Sequence, residues 1–222
     1  MATNISATRT HRISATQTHR VVFRELMKDV CTSIPGHVLT FDTATQTAQI
    51  QVGILRFDVN GASFEPPPIV HVPVSFAGSR DWVVEHEIQP GTEGMIHFSQ
   101  RCIDGWCQTG GVADNPIGRF HDYSDAVFVP GIRSLPNAIP NWSNNGIRLR
   151  NRAGSQFVWL KADGSVKMEN GAGHIRLGAD GTVTINGVTI NPSGLVHTGN
   201  DVTAGSVSLK THKHGGGPAP DQ

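Results

Sequence analysis

The hydrophobic positions near the beginning of the chain recur with the period of an α-helix. Apolar side chains alternate there with two basic and two acidic ones, which leaves one apolar face and one charged face. The apolar positions are Val22, Phe23, Leu26, Met27 and Val30. This spacing predicts a short amphipathic helix from Val21 that ends near Ile34, because Pro35 disfavours helical geometry in the preceding residue. The mixed charges favour a packing face over a membrane anchor.

A duplicated polar octapeptide precedes this helix. Residues 5–12 read ISATRTHR and residues 13–20 read ISATQTHR, so the copies differ only at Arg9 and Gln17. A segment this polar cannot bury a core of its own. We interpret residues 1–20 as a flexible or docking arm, and an unselected duplication in a disordered tail explains the pattern equally well.

Residues 36–131 show the alternation of β-strands rather than the period of a helix. Short β-branched runs are separated by turn residues, among them Asp42–Thr45 and Pro90-Gly91. The clearest strands are Gly36–Phe41, Thr47–Leu55, Ile69–Val74, Gly94–Phe98 and Ala126–Val129. Five short strands with one intervening loop predict a small OB-fold barrel. With its preceding helix, this domain spans residues 21–131.

A Pro- and Asn-containing linker, residues 132–145, leads into a second pattern. From Gly146 each unit has the form apolar-x-apolar and is followed by a Gly turn. The pairs are Ile147 and Leu149, Val158 and Leu160, Val166 and Met168, Ile175 and Leu177, Val183 and Ile185, and Val188 and Ile190, continued by Leu195, Val202, and Val207 with Leu209. The pattern predicts a rod of short strands over residues 146–206.

Such a rod has too little apolar surface to fold alone. Each strand offers one or two apolar side chains, no second apolar face is present, and the strand edges of one chain would stay open. Three identical chains around one axis would bury the pairs together, which favours a trimer. A single-chain solenoid is the alternative.

The rod is followed by a histidine-containing tip, residues 207–222. His212 and His214 stand at positions i and i+2, so an extended segment would direct both imidazoles to the same side. Two ligands are too few for a closed site, but three chains supply six nitrogens. Six nitrogens favour octahedral iron over tetrahedral zinc. A solvated terminal tail is the alternative if no trimer forms.

Composition and charge exclude several classes of protein. The chain has 222 residues, with 18 basic and 18 acidic side chains, and this neutral balance argues against a sequence-independent nucleic-acid binder. No run of 18 apolar residues occurs. Cys31, Cys102 and Cys107 show no metal-binding spacing, a disulfide framework is not expected, and the three are interpreted as small buried hydrophobic side chains. No catalytic constellation is apparent, and Glu85 and Glu87 are interpreted as a solvated pair, so we expect no enzymatic activity.

Several motifs along the chain together resemble one protein family. They are residues 34–38 (IPGHV), 41–48 (FDTATQTA), 70–74 (VHVPV), 90–94 (PGTEG), 104–106 (DGW), 121–126 (HDYSDA), 129–131 (VPG) and 207–216 (VSLKTHKHGG). The chain resembles the membrane-puncturing central spike proteins of contractile-tailed bacteriophages, called the Gp138 family or baseplate assembly protein V. The octapeptide duplication is not part of this resemblance.

The resemblance implies an all-β homotrimer. It would consist of an N-terminal OB-fold barrel, an intertwined triple-stranded β-helix, and an apex that holds one iron ion through His212 and His214 of three chains. The barrel would attach to the phage tail hub, at the tip of the tail tube, and sheath contraction would drive the rod through the host outer membrane. The alternatives are a spike-associated, lysozyme-like enzyme that degrades the cell wall and a carbohydrate-binding OB-fold baseplate protein.

Overall fold

Strands dominate the computed structural model, which describes residues 14–115, 117–213, 215 and 217. The predicted all-β class is confirmed. The chain divides into two compact units, Met1–Asn137 and Ala138–Gln222, and the division falls within the segment interpreted as a linker. Among the described residues, neither helix has the length and apolar character that crossing a membrane requires.

The first helix, α1, spans Ala15–Lys28 and therefore begins earlier than the predicted start at Val21. The boundary at residue 20 was wrong because Ser14 and Gln17 form a capping box. The Ser14 hydroxyl accepts from the Gln17 amide, and the Gln17 side-chain oxygen accepts from the Ser14 amide. The equivalent of Gln17 in the first octapeptide is Arg9, whose side chain carries no acceptor. That first copy lies outside the described residues.

The first unit contains seven strands and two further short helical segments. The strands are β1 Ser33–Asp42, β2 Thr47–Val52, β3 Arg56–Phe57, β4 Ser63–Phe64, β5 Ile69–Pro73, β6 Glu93–Phe98 and β7 Ala126–Pro130. Helix α2 spans Asp104–Thr109, and a 3-10 turn spans Leu135–Asn137. All five predicted barrel strands are present, although β2 ends three residues before the predicted Leu55.

These strands form a curled, OB-like sheet. The order is β5-β2-β1-β6-β7, and a parallel bridge between Val74 and Phe128 brings its two edges together. Alternate side chains point inward and form the core, including Val38, Ile50 and Phe128, each with no exposed surface. Gly94 is required where β6 meets β7, because a Cβ there would lie 2.4 Å from the carbonyl oxygen of Val129.

A cluster at Glu93 fixes the path of the chain as it leaves the barrel. The Glu93 carboxylate accepts from the Ser134 amide and hydroxyl and from the Asn137 side-chain amide, each at 2.7 Å. The Ser134 bonds, followed by the Asn137 bond, hold the pKa of Glu93 at about 2.

The lowered pKa of Glu93 predicts how this cluster responds to acid. Because the pKa in the folded state lies below the ordinary value for glutamate, the stabilisation is complete above pH 4–5 and is lost as the pH falls towards about 2. We expect protection of the Ser134 amide from hydrogen exchange to persist at pH 4 in the native protein and to be reduced in Glu93→Gln. Equal protection in both proteins at pH 4 would contradict the prediction.

The second unit is built from nine short strands in chain order. They are β8 Ile147–Arg150, β9 Phe157–Leu160, β10 Val166–Glu169, β11 His174–Leu177, β12 Val183–Ile185, β13 Val188–Ile190, β14 Val196–Thr198, β15 Thr203–Ala204 and β16 Val207–Ser208. Strands β8 to β14 form one seven-stranded antiparallel sheet in sequential order, and β15 pairs with β16. Every apolar pair from Ile147 to Ile190 lies in a strand, as predicted.

The strand pairing differs from the prediction in one respect. The open edges of each strand were expected to be filled by other chains, but β9 to β13 are paired on both sides within their own chain. Asx turns make these tight connections possible. The side chain of Asn191, for example, accepts from the Leu195 amide, and Asn186 adopts a positive φ of 49° in the two-residue turn before β13. Within the described residues, only β8 and β14 keep an unpaired edge, whereas one whole face of the sheet lacks cover.

Candidate functional site

One face of the seven-stranded sheet carries two continuous columns of apolar side chains. The cross-strand register aligns the first residue of one apolar pair with the second residue of the next. The first column is Ile147, Leu160, Val166, Leu177, Val183, Ile190 and Val196. The second is Leu149, Val158, Met168, Ile175, Ile185 and Val188. We call these two columns the apolar face.

The apolar face is not buried by the chain that carries it. Ile147 is 69% exposed, Leu149 67% and Val196 55%, and all twelve buried apolar residues among those described belong to the barrel unit. A contiguous apolar surface of this kind is characteristic of an interface rather than of a free surface. The apolar pairs identified in the sequence therefore lie on one face, as predicted, but this chain alone does not cover them.

The opposite face of the same sheet is cationic and aromatic. Arg148, Trp159, Lys167 and Arg176 lie opposite one another on β8 to β11, at the central positions of the repeated units. The Arg148 guanidinium stacks 4.3 Å from the Phe157 ring and 4.8 Å from the Trp159 ring. This arrangement was not predicted. The sequence does contain a signal for it, because the residue between the two apolar residues of each unit is basic or aromatic from β8 to β11. We call this cationic and aromatic surface the outer face.

The predicted metal ligand His212 follows a turn rather than an extended strand. Strand β16 ends at Ser208, and the chain turns through residues 209–211. The Ser208 carbonyl accepts from the His212 amide at 2.9 Å, and the Ser208 hydroxyl accepts from the Thr211 amide at 2.8 Å. The assumption of an extended tip was wrong up to Thr211. His214 lies outside the described residues, so its position relative to His212 stays a prediction.

The imidazole of His212 has the orientation expected of a metal ligand. Its Nδ1 lies 2.9 Å from the Ser208 carbonyl oxygen and 3.1 Å from that of Leu209, so Nδ1 carries the proton and donates it. In the neutral ring, the lone pair then belongs to Nε2. Metal-binding histidines commonly donate their other N–H to a backbone carbonyl in this way. The surroundings of His212 thus fit the predicted metal role.

A second group of potential ligands, in the barrel, is already neutralised by a cation. Cys102, Asp104 and the fully buried Asp125 place ligand atoms within 4.8 Å of one another. Arg119 donates to all three, at 3.0 Å to the Cys102 sulfur, 2.8 Å to Asp104 and 2.9 Å to Asp125. The guanidinium therefore already supplies the positive charge that balances the two carboxylates. Asp125 also accepts from the Ile103 amide, which positions the start of α2.

Breaking this cluster should destabilise the barrel strongly. Asp125→Ala would leave the partly buried Arg119 with the exposed Asp104 as its one carboxylate partner among the described residues, besides the Cys102 sulfur. Removing one member of a buried pair is among the more costly substitutions. We expect the melting temperature of the barrel to fall by roughly 10 °C. Asp114→Ala, at an exposed position that follows α2, is the control. A fall of similar size in both variants would contradict this role.

Comparison with known proteins supports the resemblance drawn from the sequence. Residues 34–131 match the family model described as the phage protein Gp138 N-terminal domain. The match covers the OB-like sheet from Ile34 to Gly131, a little under half of the chain. It indicates a structural protein of the phage baseplate or spike, and hence a component of the virion. No curated protein matches the chain.

Proposed function

Because residues 34–131 are a phage Gp138 N-terminal domain, we propose that the protein is the central spike of a tail baseplate, which pierces the host outer membrane when the sheath contracts. The role is structural rather than catalytic. The barrel binds the trimeric tail hub, and the sheet of the second unit forms the shaft of the spike.

The single observation that carries this proposal is the uncovered apolar face. Two apolar columns run across all of β8 to β13, and the opposite face carries charges and aromatic rings. Three copies arranged as a prism would bury their apolar faces against one another on a common axis. Burial of this kind contributes about 25 cal/mol per Å² of apolar surface. Such a prism keeps the pairing of β8 to β14 inside each chain, whereas the intertwined triple-stranded β-helix that the resemblance implies would pair strands between chains.

The dimensions of the sheet suit passage through a bilayer. Seven strands at about 4.8 Å spacing give a sheet about 29 Å long across its strands. The hydrocarbon core of a typical bilayer is about 30 Å thick. Backbone hydrogen bonds would stiffen the shaft along this whole length. Such a shaft would transmit force even where individual side chains are mobile.

The tip closes the shaft through a metal ion. His212 and His214 from three chains supply six imidazoles, a donor set that suits one octahedral iron ion. The Ser208 and Leu209 carbonyls hold Nδ1 of His212, and Nε2 would be the atom that binds the ion. A bound metal would tie together three chain ends that otherwise fray.

The proposal is tested by the mass of the protein and its place in the virion. Sedimentation should give three times the 23.8 kDa of one chain. Antibodies raised against residues 34–131 should label the end of the tail on particles whose baseplates have been opened by detergent. A monomer at micromolar concentration, or label on the head or fibres alone, would refute the proposed function.

A further inference from the structure

A short loop on the barrel forms an ordered finger with a tryptophan at its end. Residues 77–84 fold back on themselves through a bridge between Gly78 and Val83, and the Val84 amide donates to the Ala77 carbonyl at 2.8 Å. Gly78 is required because a Cβ would lie 2.6 Å from the Trp82 carbonyl oxygen. Trp82 is 82% exposed, and Val83 and Val84 beside it are also exposed. A backbone this well fixed displays an indole that the chain itself does not cover.

The finger has an acidic surrounding. Arg80 pairs with Asp81 at its end, which leaves Glu85 and Glu87 as the net charge at its base. Exposed aromatic side chains of this kind are frequent hot spots of protein interfaces. The surface that binds the finger should therefore offer an apolar pocket, which we call a socket, with basic residues around it.

The same domain carries such a socket. A cavity of about 180 Å³ is lined by Val30, Ile54, Leu55, Phe98 and Tyr123, and Lys28 and Arg56 lie at its rim. A cavity of about 150 Å³ holds one benzene ring, so this one suits a single large aromatic side chain. Lys28 is paired with Glu25 at 2.8 Å, so Arg56, which forms no ion pair among the described residues, supplies the positive charge. This charge is opposite to that at the base of the finger.

The finger and the socket lie at opposite ends of the barrel strands, so they cannot meet within one chain. Phe76, at the base of the finger, packs edge-on against Phe41 near the end of β1. The socket includes Ile34, near the start of β1. These two positions on β1 are about 23 Å apart at 3.3 Å per residue. Trp82 therefore cannot fill the socket of its own chain, but the Trp82 of a second copy can.

The geometry points to a head-to-tail ring, in which Trp82 of one copy occupies the Lys28–Arg56 socket of the next. Heterologous contacts of this kind close into rings when the rotation allows. The inference rests on the proposed trimer and adds a second interface, at the barrel, to the one formed by the apolar face. It assigns the finger and the socket to assembly between copies rather than to a hub protein.

A cross-link tests the contact directly, because Cys31 lines the socket. We would introduce Trp82→Cys into the full chain, together with Cys107→Ser to remove an exposed thiol, and add a short bis-maleimide. The reaction should run at mildly alkaline pH, because burial raises the pKa of the Cys31 thiol. We expect covalent dimers and trimers on a denaturing gel, with no species above the trimer. The controls are the same protein with Cys31→Ser and a protein with Val112→Cys, on another exposed loop, in place of Trp82→Cys.

The outcomes separate this inference from the proposed function. A ladder that stops at trimer and requires Cys31 supports the ring. A ladder that continues beyond trimer shows an open chain of copies and overturns it. If the protein sediments as a trimer but forms no cross-links, the ring is also overturned. The trimer formed through the apolar face would then stand, and the finger would be expected to bind a hub protein instead. A protein that sediments as a monomer would overturn both the ring and the trimer formed through the apolar face.

Discussion

Ile185→Asp should convert the trimer into monomers. Ile185 belongs to the apolar face, where it lies opposite Ile175 on β11 and Val188 on β13. In a trimer, three carboxylates would be brought to one axis without a cationic partner. An unpaired buried charge costs about 3–5 kcal/mol, and the three copies contribute together. Because each 1.4 kcal/mol is a factor of ten in an equilibrium constant, association should weaken by on the order of 10⁶ or more.

The adjacent residue provides a matched control for this change. Thr184 lies on the same strand but on the outer face, opposite Arg176. Thr184→Asp introduces the same side chain one position away, next to a cation and in contact with water, and should keep the trimer. Sedimentation of both variants at equal concentration is the measurement. A trimeric Ile185→Asp protein, or two variants that dissociate equally, would show that the apolar face is not the interface.

The local features of both units could be predicted from the sequence because they depend on neighbouring residues. Alternation of apolar and polar positions identified the barrel strands, and the apolar-x-apolar units separated by Gly turns identified β8 to β13. Side chains two residues apart share one face of a strand, so the composition of the apolar face also followed. Helix α2 was missed because it is only six residues long, contains Gly105, and begins without a side-chain cap.

Features that depend on distant residues were not predictable. Nothing near Arg119 in the chain indicates that its guanidinium joins Cys102, Asp104 and Asp125. The socket is lined by residues that precede the finger in the sequence, such as Lys28 and Arg56, and by residues that follow it, such as Tyr123. At the tip, the spacing of His212 and His214 suggested an extended segment. The Thr211 and His212 amides instead donate hydrogen bonds to Ser208, which turn the chain just before His212.

The two units differ in where their stability resides. The barrel buries twelve apolar side chains and a satisfied ion pair, so it holds its own core. The sheet buries only Ser165 among its described residues, and its apolar side chains stay exposed within one chain. In the proposed trimer, the sheet would gain its stability from association. The proposed shaft would become rigid only after three copies have brought their sheets together, which would couple assembly to stiffness.

His212→Ala should abolish iron binding by the tip. The native protein should contain one iron ion per three chains by elemental analysis, since six imidazoles are required for the octahedral site. The variant retains at most three and should contain no stoichiometric iron. Without the metal, the residues after Ser208 should be cleaved faster by a nonspecific protease, because chain ends are protected only when something ties them down. The melting of the barrel should not change.

His197→Ala, on the β14 strand, tests whether the loss is specific to the tip, and it should leave the iron content intact. Iron retained in His212→Ala, or lost equally in His197→Ala, would show that the tip is not closed by His212.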